Sequence, residues 1–250
     1  MTGWPRRVFW ILVAGIVGVG LLARLLIVAS DIELLIAKVL PDDAFYYFGV
    51  ARHIAAGQGV TFDGRTLTNG FHPLWMLMLI PFYLLAAGYQ PIRLALILAT
   101  LFDLGTTTLI FTTIRRETGR APAGLLSAAF FWLNPAIILE TLNGLETAVS
   151  LFTFMTVFAF YRRRFCCVWL ADPNGKAQPH PTLGDYLLLG ALAGLMCLAR
   201  TDSAFLIVFI GLSLLWRGRR RVIGPLMAGA AVGATLLAPW FLWSWLTLGT

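Results

Sequence analysis

The sequence predicts an all-α integral membrane protein with about seven transmembrane helices and two interfacial helices in the first outer loop. Its 250 residues are 59% hydrophobic and only 12% charged, whereas a soluble globular chain carries about 25% charged residues. The mean hydropathy is +0.80. The apolar residues form blocks close to the roughly 20 residues that cross a bilayer as a helix, separated by short arginine-rich links. We therefore expect one domain, residues 1–250, built of packed spans.

The first predicted span, 8–29, follows Arg6 and Arg7. Its apolar run is longer than the roughly 7 to 15 residues of a secretory signal, so we expect a retained span. The seven predicted spans are 8–29, 91–114, 121–139, 147–161, 183–198, 203–216 and 222–247.

Segment 72–88 decides the topology. If it crosses the membrane and the N-terminus is cytoplasmic, ten of the arginines from Arg115 to Arg221 fall outside, against the positive-inside rule. The segment is short and contains Pro73 and Pro81, so we expect it to lie in the outer interface or to dip in and return. The protein is then a multi-pass protein of the bacterial inner membrane with a cytoplasmic N-terminus and a periplasmic C-terminus. Residues 30–90 form its first periplasmic loop.

Composition excludes several classes of function. The net charge of +7 falls mostly in loops where topology requires it, so we expect membrane lipids as partners and no nucleic acid. Cys166, Cys167 and Cys197 have neither metal-binding nor disulfide spacing, and we expect them to be small apolar fillers. No HExxH, Walker or dinucleotide-binding glycine motif is present. Glycine pairs in the last spans are expected to allow close helix packing.

An acidic, turn-rich stretch follows the first span, "PDDAFYYFGVARHIAAGQGVTFDGRTLTNGFHPLW". Pro41 and Asp42 mark the start of a surface helix that runs to Ala56. Asp43 falls in its first turn, where free backbone amides and the helix dipole stabilise a carboxylate. The alternative is that Asp42 and Asp43 only cap the helix.

The predicted topology places further acids on the same outer face, among them Asp63, Glu140 and Glu146. Glu146 stands in "LNGLETA" at the start of a span, and its alternative role is that of a helix N-terminal acid. In a chain with few charges, acids that converge at bilayer level favour a site for a polar substrate. Arg24 and Asp103 lie inside predicted spans, and we expect Asp103 to be a paired or hydroxyl-bonded structural residue.

These motifs together resemble the GT-C superfamily of glycosyltransferases, which use polyprenyl-phosphate-linked sugars. Members include protein O-mannosyltransferases, aminoarabinose transferases and the catalytic oligosaccharyltransferase subunit. The resemblance rests on the "DDAFYY" to "TNGFHPLW" run, on "NGLET" and on "LARTDS", and it covers nearly the whole chain. It implies a sugar transferred from a polyprenyl-phosphate donor to an acceptor at the periplasmic face.

The resemblance also implies roles for residues. Asp43 is similar to the first-loop acid that acts as general base or metal ligand, Glu146 to the acid of the second outer loop, and Asp42 to its neighbouring acid. Asp43 and Glu146 are the candidate ligands of a divalent metal, Mg²⁺ or Mn²⁺. Arg200 and Asp202 match an "LxRxD" pattern at the outer end of a span.

The departing phosphate needs positive charge, and a base must take the proton of the acceptor. The candidate phosphate ligands are Arg52, His72, Arg65 and Arg200. Each has a structural alternative: lipid contact for Arg52, helix capping for His72, a solvated turn for Arg65 and pairing with Asp202 for Arg200.

The sequence ends directly after the seventh predicted span, at "FLWSWLTLGT". Most GT-C relatives continue, so we expect either a truncated enzyme or a partner that supplies the rest. A second hypothesis is a non-catalytic GT-C-derived structural subunit with membrane protein partners. A third, a small transporter, is disfavoured because the polar residues lie at one face of the predicted membrane domain.

Overall fold

The computed structural model describes residues 5–166 and 180–249, which form helices joined by turns. The helices are α1 (Arg6–Ala29), α2 (Ile32–Lys38), α3 (Asp42–Ala55), α4 (Pro73–Leu85), α5 (Gln90–Thr118), α6 (Ala121–Trp132), α7 (Pro135–Thr141), α8 (Thr147–Tyr161), α9 (Leu183–Ala199), α10 (Ala204–Gly218) and α11 (Ile223–Leu248). Short π or 3₁₀ turns lie at Arg162–Cys166, Thr201–Ser203 and Arg219–Val222. Residues 5–166 and 180–249 contain no β-strand, only an isolated bridge between Thr61 and Leu67. The predicted all-α class is confirmed.

Within the described residues, four helical stretches are long and apolar enough to cross a membrane: Arg6–Ala29, Gln90–Thr118, Thr201–Gly218 and Arg220–Leu248. The pair α6 and α7 passes the same test together but bends by 59°. Helices α8 and α9 have 15 and 17 residues, fewer than the roughly 20 of a typical span. All seven predicted segments are therefore helical, and four or five have the length and composition of a span.

The predicted span 121–139 contains a break that the prediction did not include. Helix α6 ends at Trp132 and α7 begins at Pro135. A proline disfavours helical conformation at the residue before it, and the Asn134 side chain accepts a hydrogen bond from the Ala136 amide at 3.0 Å. The Asn134–Pro135 dipeptide is thus the local signal for the break.

Three helices lie between α1 and α5. Helix α3 begins at Asp42, as predicted, and α4 covers most of segment 72–88. With 13 residues, α4 spans about 20 Å, less than the roughly 30 Å of a hydrocarbon core. The short helix α2 was not predicted. The loop therefore contains the two expected helices and one more.

The chain forms two compact units, each with its own buried core. The first comprises Met1–Phe71 and Trp75–Phe152, and the second comprises His72–Leu74 and Thr153–Thr250.

A fully buried ion pair joins α1 to α5 in the first unit. Arg24 donates through Nε and Nη2 to Oδ2 of Asp103 at 3.1 and 3.0 Å, and neither side chain is exposed. The Thr141 hydroxyl donates to the same oxygen at 2.6 Å. Arg24 Nη1 donates to the Trp132 carbonyl at 2.9 Å, and the guanidinium lies 3.7 Å from the centre of the indole ring. The prediction that Asp103 is paired and hydroxyl-bonded is confirmed.

Glycines let α9 and α11 touch in the second unit. A Cβ atom at Gly190 would overlap the carbonyl of Gly229, and one at Gly194 would lie 3.1 Å from the carbonyl oxygen of Gly233. The predicted packing role of these glycine pairs is confirmed.

The buried apolar cluster of this unit includes Tyr161, Phe165 and Tyr186. Cys166 and Cys197 are buried free thiols, as a packing role requires, and Cys167 lies outside the described residues.

We expect Arg24→Met and Asp103→Leu each to destabilise the protein by about 3 to 5 kcal/mol, because each leaves one buried charge without its partner. The double variant removes both charges and should recover most of that loss. Thermal unfolding of the purified protein in one detergent measures all three. A double variant as unstable as either single one would contradict this account of the pair.

Candidate functional site

Asp42 and Asp43 occupy the first turn of α3, after Pro41 in extended conformation. Both side chains are exposed. Within residues 5–166 and 180–249, neither carboxylate accepts a helix amide or forms an ion pair, and the Ala44 amide donates instead to the Pro41 carbonyl at 3.0 Å. The described structure therefore gives no support to a purely capping role for the two acids.

Glu146 lies against α3, the helix that carries Asp43. It directly precedes α8 and is only 7% exposed. The Tyr47 hydroxyl donates a hydrogen bond to Oε2 of Glu146 at 2.9 Å. Tyr47 follows Asp43 by four residues, so the two side chains lie on the same face of α3. The structure thus brings the two predicted acids to one helix face.

Residues 142–146 form a turn between α7 and α8, the Glu146 turn, and Gly144 lets this turn pack on α3. Its φ angle is +81°, a conformation that favours glycine. An added Cβ atom would lie 3.0 Å from Phe48 and 3.1 Å from both Ala44 and Leu40. Both the backbone conformation and the close packing therefore require glycine at this position of "NGLET".

Two further hydrogen bonds fix the backbone of this turn. The Asn143 side chain accepts from the Leu145 amide at 3.0 Å. The indole of Trp75, at the start of α4, donates to the Gly144 carbonyl at 2.9 Å and is fully buried. Two helices of the first loop thus fix the position of Glu146.

Sequence reasoning missed the two aromatic residues that hold this turn, Tyr47 and Trp75. In the sequence they look like ordinary apolar residues of "AFYYF" and "HPLW". Buried Tyr and Trp side chains usually give their polar atom a hydrogen-bond partner. That general rule was the only signal available, and it does not name the partner.

The loop between α3 and α4 folds back over α3. The ring of Phe62 stacks on Tyr46 at 5.3 Å between centroids, and the Tyr46 and Thr68 hydroxyls are hydrogen-bonded. Asp63 closes the predicted "FDG" turn by accepting from the Arg65 and Thr66 amides, both at 2.8 Å. The Thr66 and Arg65 amides, with the Thr61 hydroxyl, hold the pKa of Asp63 well below its usual range. Asp63 is thus a structural acid.

The candidate phosphate ligands lie in both units. In the first unit Arg52 and Arg65 are exposed. Burial raises the pKa of Tyr83 to about 12, and the positive charge of Arg52 acts against this shift, which locates Arg52 near α4. In the second unit His72 is half-buried directly before Pro73. Arg200 pairs with Asp202 on the surface, with Nε at 3.1 Å from Oδ2, which is the structural alternative considered for this pair.

The metal prediction rests on two carboxylates. Among the residues that the structure describes, no three His, Cys, Asp or Glu side chains gather as a metal-binding group. Carboxylate oxygens are nevertheless the donors that Mg²⁺ and Mn²⁺ favour. Asp43 and Glu146 are two such carboxylates, and the metal site stays a prediction.

Comparisons with known protein families, curated proteins and solved structures give no match for this chain.

We expect Gly144→Ala to lower the unfolding free energy by about 1 to 3 kcal/mol, because it combines an unfavourable φ angle with three close contacts. Gly57 has a similar φ of +72° but open space around it. Gly57→Ala therefore isolates the backbone effect and should cost less. Denaturation in detergent compares the two variants. Equal losses would mean that packing of the turn on α3 contributes nothing.

We expect Asp63→Ala to loosen the turn around Arg65, because two backbone amides lose their acceptor. Trypsin should then cleave the detergent-solubilised variant after Arg65 several times faster than the wild type. Mass spectrometry of the fragments over time measures the rate. Glu33→Ala, at an exposed acid of α2 in the same loop, is the control. Unchanged cleavage after Arg65 would contradict the role given to Asp63.

Proposed function

We propose that this chain is a GT-C glycosyltransferase that moves a sugar from a polyprenyl-phosphate donor to an acceptor at the periplasmic face of a bacterial inner membrane. One observation carries the proposal: Tyr47 holds Glu146 against α3, one helical turn from Asp43. The two acids come from segments about 100 residues apart in the sequence, and both stand in the motifs that resemble the GT-C superfamily.

The proposed topology has seven spans, with the N-terminus in the cytoplasm and the C-terminus in the periplasm. The short length of α4 supports it, because its 13 residues are fewer than those of α8, α9 and α10, the shortest unbroken helices among the proposed spans. With α4 at the interface, the arginine-rich links lie on the cytoplasmic side, as the positive-inside rule requires. The first loop and the Glu146 turn then share the periplasmic side.

Asp43 is the proposed general base. An acceptor hydroxyl gives its proton to the Asp43 carboxylate while its oxygen bonds to the anomeric carbon of the sugar. The bond from that carbon to the phosphate oxygen breaks, and the polyprenyl phosphate leaves with the electron pair. Exposure of the Asp43 side chain allows an acceptor to reach it, and Asp42 adds a second carboxylate beside it.

Positive charge stabilises the departing phosphate. Arg52, in the last turn of α3, and Arg65, in the Asp63 turn, are the proposed phosphate ligands in the first unit. In the metal-dependent alternative Asp43 would be a ligand instead of the base, and Asp43 and Glu146 would hold a Mg²⁺ or Mn²⁺ ion that adds positive charge for the same purpose. Tyr47 is a positioning residue, because it fixes the Glu146 carboxylate.

We expect Asp43→Asn to slow sugar transfer by at least about 100-fold, since a positioned base contributes roughly 10² to 10⁴ in rate. The assay adds a panel of radiolabelled polyprenyl-phosphate hexoses and pentoses, with a membrane extract as the source of acceptor, to the purified chain in lipid vesicles. It measures the loss of label from the polyprenyl-phosphate donor. Tyr47→Phe should cause a smaller loss of transfer. It removes the hydrogen bond that positions the Glu146 carboxylate but leaves that carboxylate in place.

Glu33→Gln is the matched control, since it neutralises an exposed acid elsewhere in the same loop and should leave transfer unchanged. Thermal unfolding verifies that each variant is folded. Transfer by Asp43→Asn at the wild-type rate would refute the mechanism. Absence of transfer by the wild type with every donor, together with stable co-purification of other membrane proteins, would favour the structural-subunit hypothesis.

A further inference from the structure

A half-open apolar cavity of about 410 Å³ lies among helices α8 to α11 of the second unit. Its size falls within the roughly 300 to 1,000 Å³ of small-molecule pockets. Its wall includes Tyr186 and Leu189 from α9, Ile210 and Gly211 from α10, and Met227 and Leu237 from α11. The lining side chains are apolar apart from the Tyr186 hydroxyl, so the cavity suits a hydrocarbon chain.

Arginines stand at one end of α10 and α11, two of the four helices that line this cavity. Arg217 follows Ile210 by seven residues in α10, and Arg220, in the 3₁₀ turn that leads into α11, precedes Met227 by seven residues. Seven residues are close to two helical turns, so each arginine lies near the cavity face of its helix, about 10 Å along the axis. Arg221 is adjacent, and all three side chains are exposed.

The only acid of the neighbouring helix α9 already has a cationic partner. Asp185, one residue before the cavity residue Tyr186, is paired with Arg164, whose Nε and Nη2 donate at 2.7 and 2.8 Å. Arg217 lies over the buried cluster of this unit, with Nη1 at 3.8 Å from Cys166 Sγ. A cation rim therefore borders an apolar cavity.

We propose that this cavity binds one acyl chain of an anionic glycerophospholipid, whose headgroup phosphate is bound by Arg217, Arg220 and Arg221. An acyl chain gains little by leaving bilayer hydrocarbon for an apolar wall, because the two are equally apolar. The cavity therefore fixes the position of the lipid, and the arginines supply the preference for negative charge. The proposal is independent of sugar transfer and needs only that these helices lie in a membrane.

The experiment uses the purified full chain in phosphatidylcholine nanodiscs that contain a trace of spin-labelled phosphatidylglycerol or spin-labelled phosphatidylcholine. Electron paramagnetic resonance measures the immobilised fraction of each label. We expect phosphatidylglycerol to bind at least about fivefold more tightly, since one basic residue near an anionic headgroup contributes about that factor. Arg217→Gln/Arg220→Gln should remove most of the preference for phosphatidylglycerol over phosphatidylcholine and leave only the contribution of Arg221.

Gly211→Leu tests the cavity itself. A Cβ atom at Gly211 meets open space, so the larger side chain fills the cavity without a backbone clash. It should lower the immobilised fraction of phosphatidylglycerol. Gly15→Leu in α1, also surrounded by open space, should leave that fraction unchanged. Thermal unfolding establishes that each variant is folded.

Arg115→Gln/Arg116→Gln removes the same charge from the end of α5 and is the control for general surface electrostatics. Equal immobilisation of the two lipids by the wild type would overturn the proposal. Equal effects of the two arginine pairs would overturn it as well, because binding would then follow surface charge alone. If the Gly211→Leu variant immobilised the same fraction of phosphatidylglycerol as the wild type, the cavity would not be the site.

Discussion

The arrangement of the first unit depends on a single carboxylate oxygen, Oδ2 of Asp103. It accepts two hydrogen bonds from Arg24 and one from Thr141, so it connects α1, α5 and the end of α7. A buried charge is tolerated only when such donors replace its hydration. Thr141 precedes Glu146 by five residues. The ion pair therefore also fixes the point at which the chain leaves α7 and turns towards α3.

From that point the Glu146 turn has little freedom. Gly144 packs closely against α3, and the indole of Trp75 in α4 donates a hydrogen bond to the Gly144 carbonyl. The outcome is a pair of acids in contrasting surroundings, Glu146 buried and hydrogen-bonded and Asp43 exposed. A fixed carboxylate beside an accessible one suits a site where one group organises and the other exchanges a proton with a substrate.

The sequence was informative where a local rule decides the structure. Apolar runs located most of the helices, Pro41 and Asp42 located the start of α3, and the glycine pairs marked positions of close helix packing. It was less informative where the structure depends on distant partners. Asp103 was expected to be paired, but Arg24 was not identified as its partner, because nothing local links residues 79 positions apart. Tyr47 and Trp75 were missed for the same reason, and the break at Asn134 was a local signal that the hydrophobic run concealed.

The bend between α6 and α7 has a consequence for biogenesis. A broken helix leaves carbonyl groups without their usual amide donors, and in a nonpolar setting such groups need substitutes. Here Arg24 of α1 supplies the donor for the Trp132 carbonyl. The ribosome releases the N-terminal helix first, so the guanidinium already exists when the later segment emerges. The order of synthesis thus matches the order in which the two halves of this contact are needed.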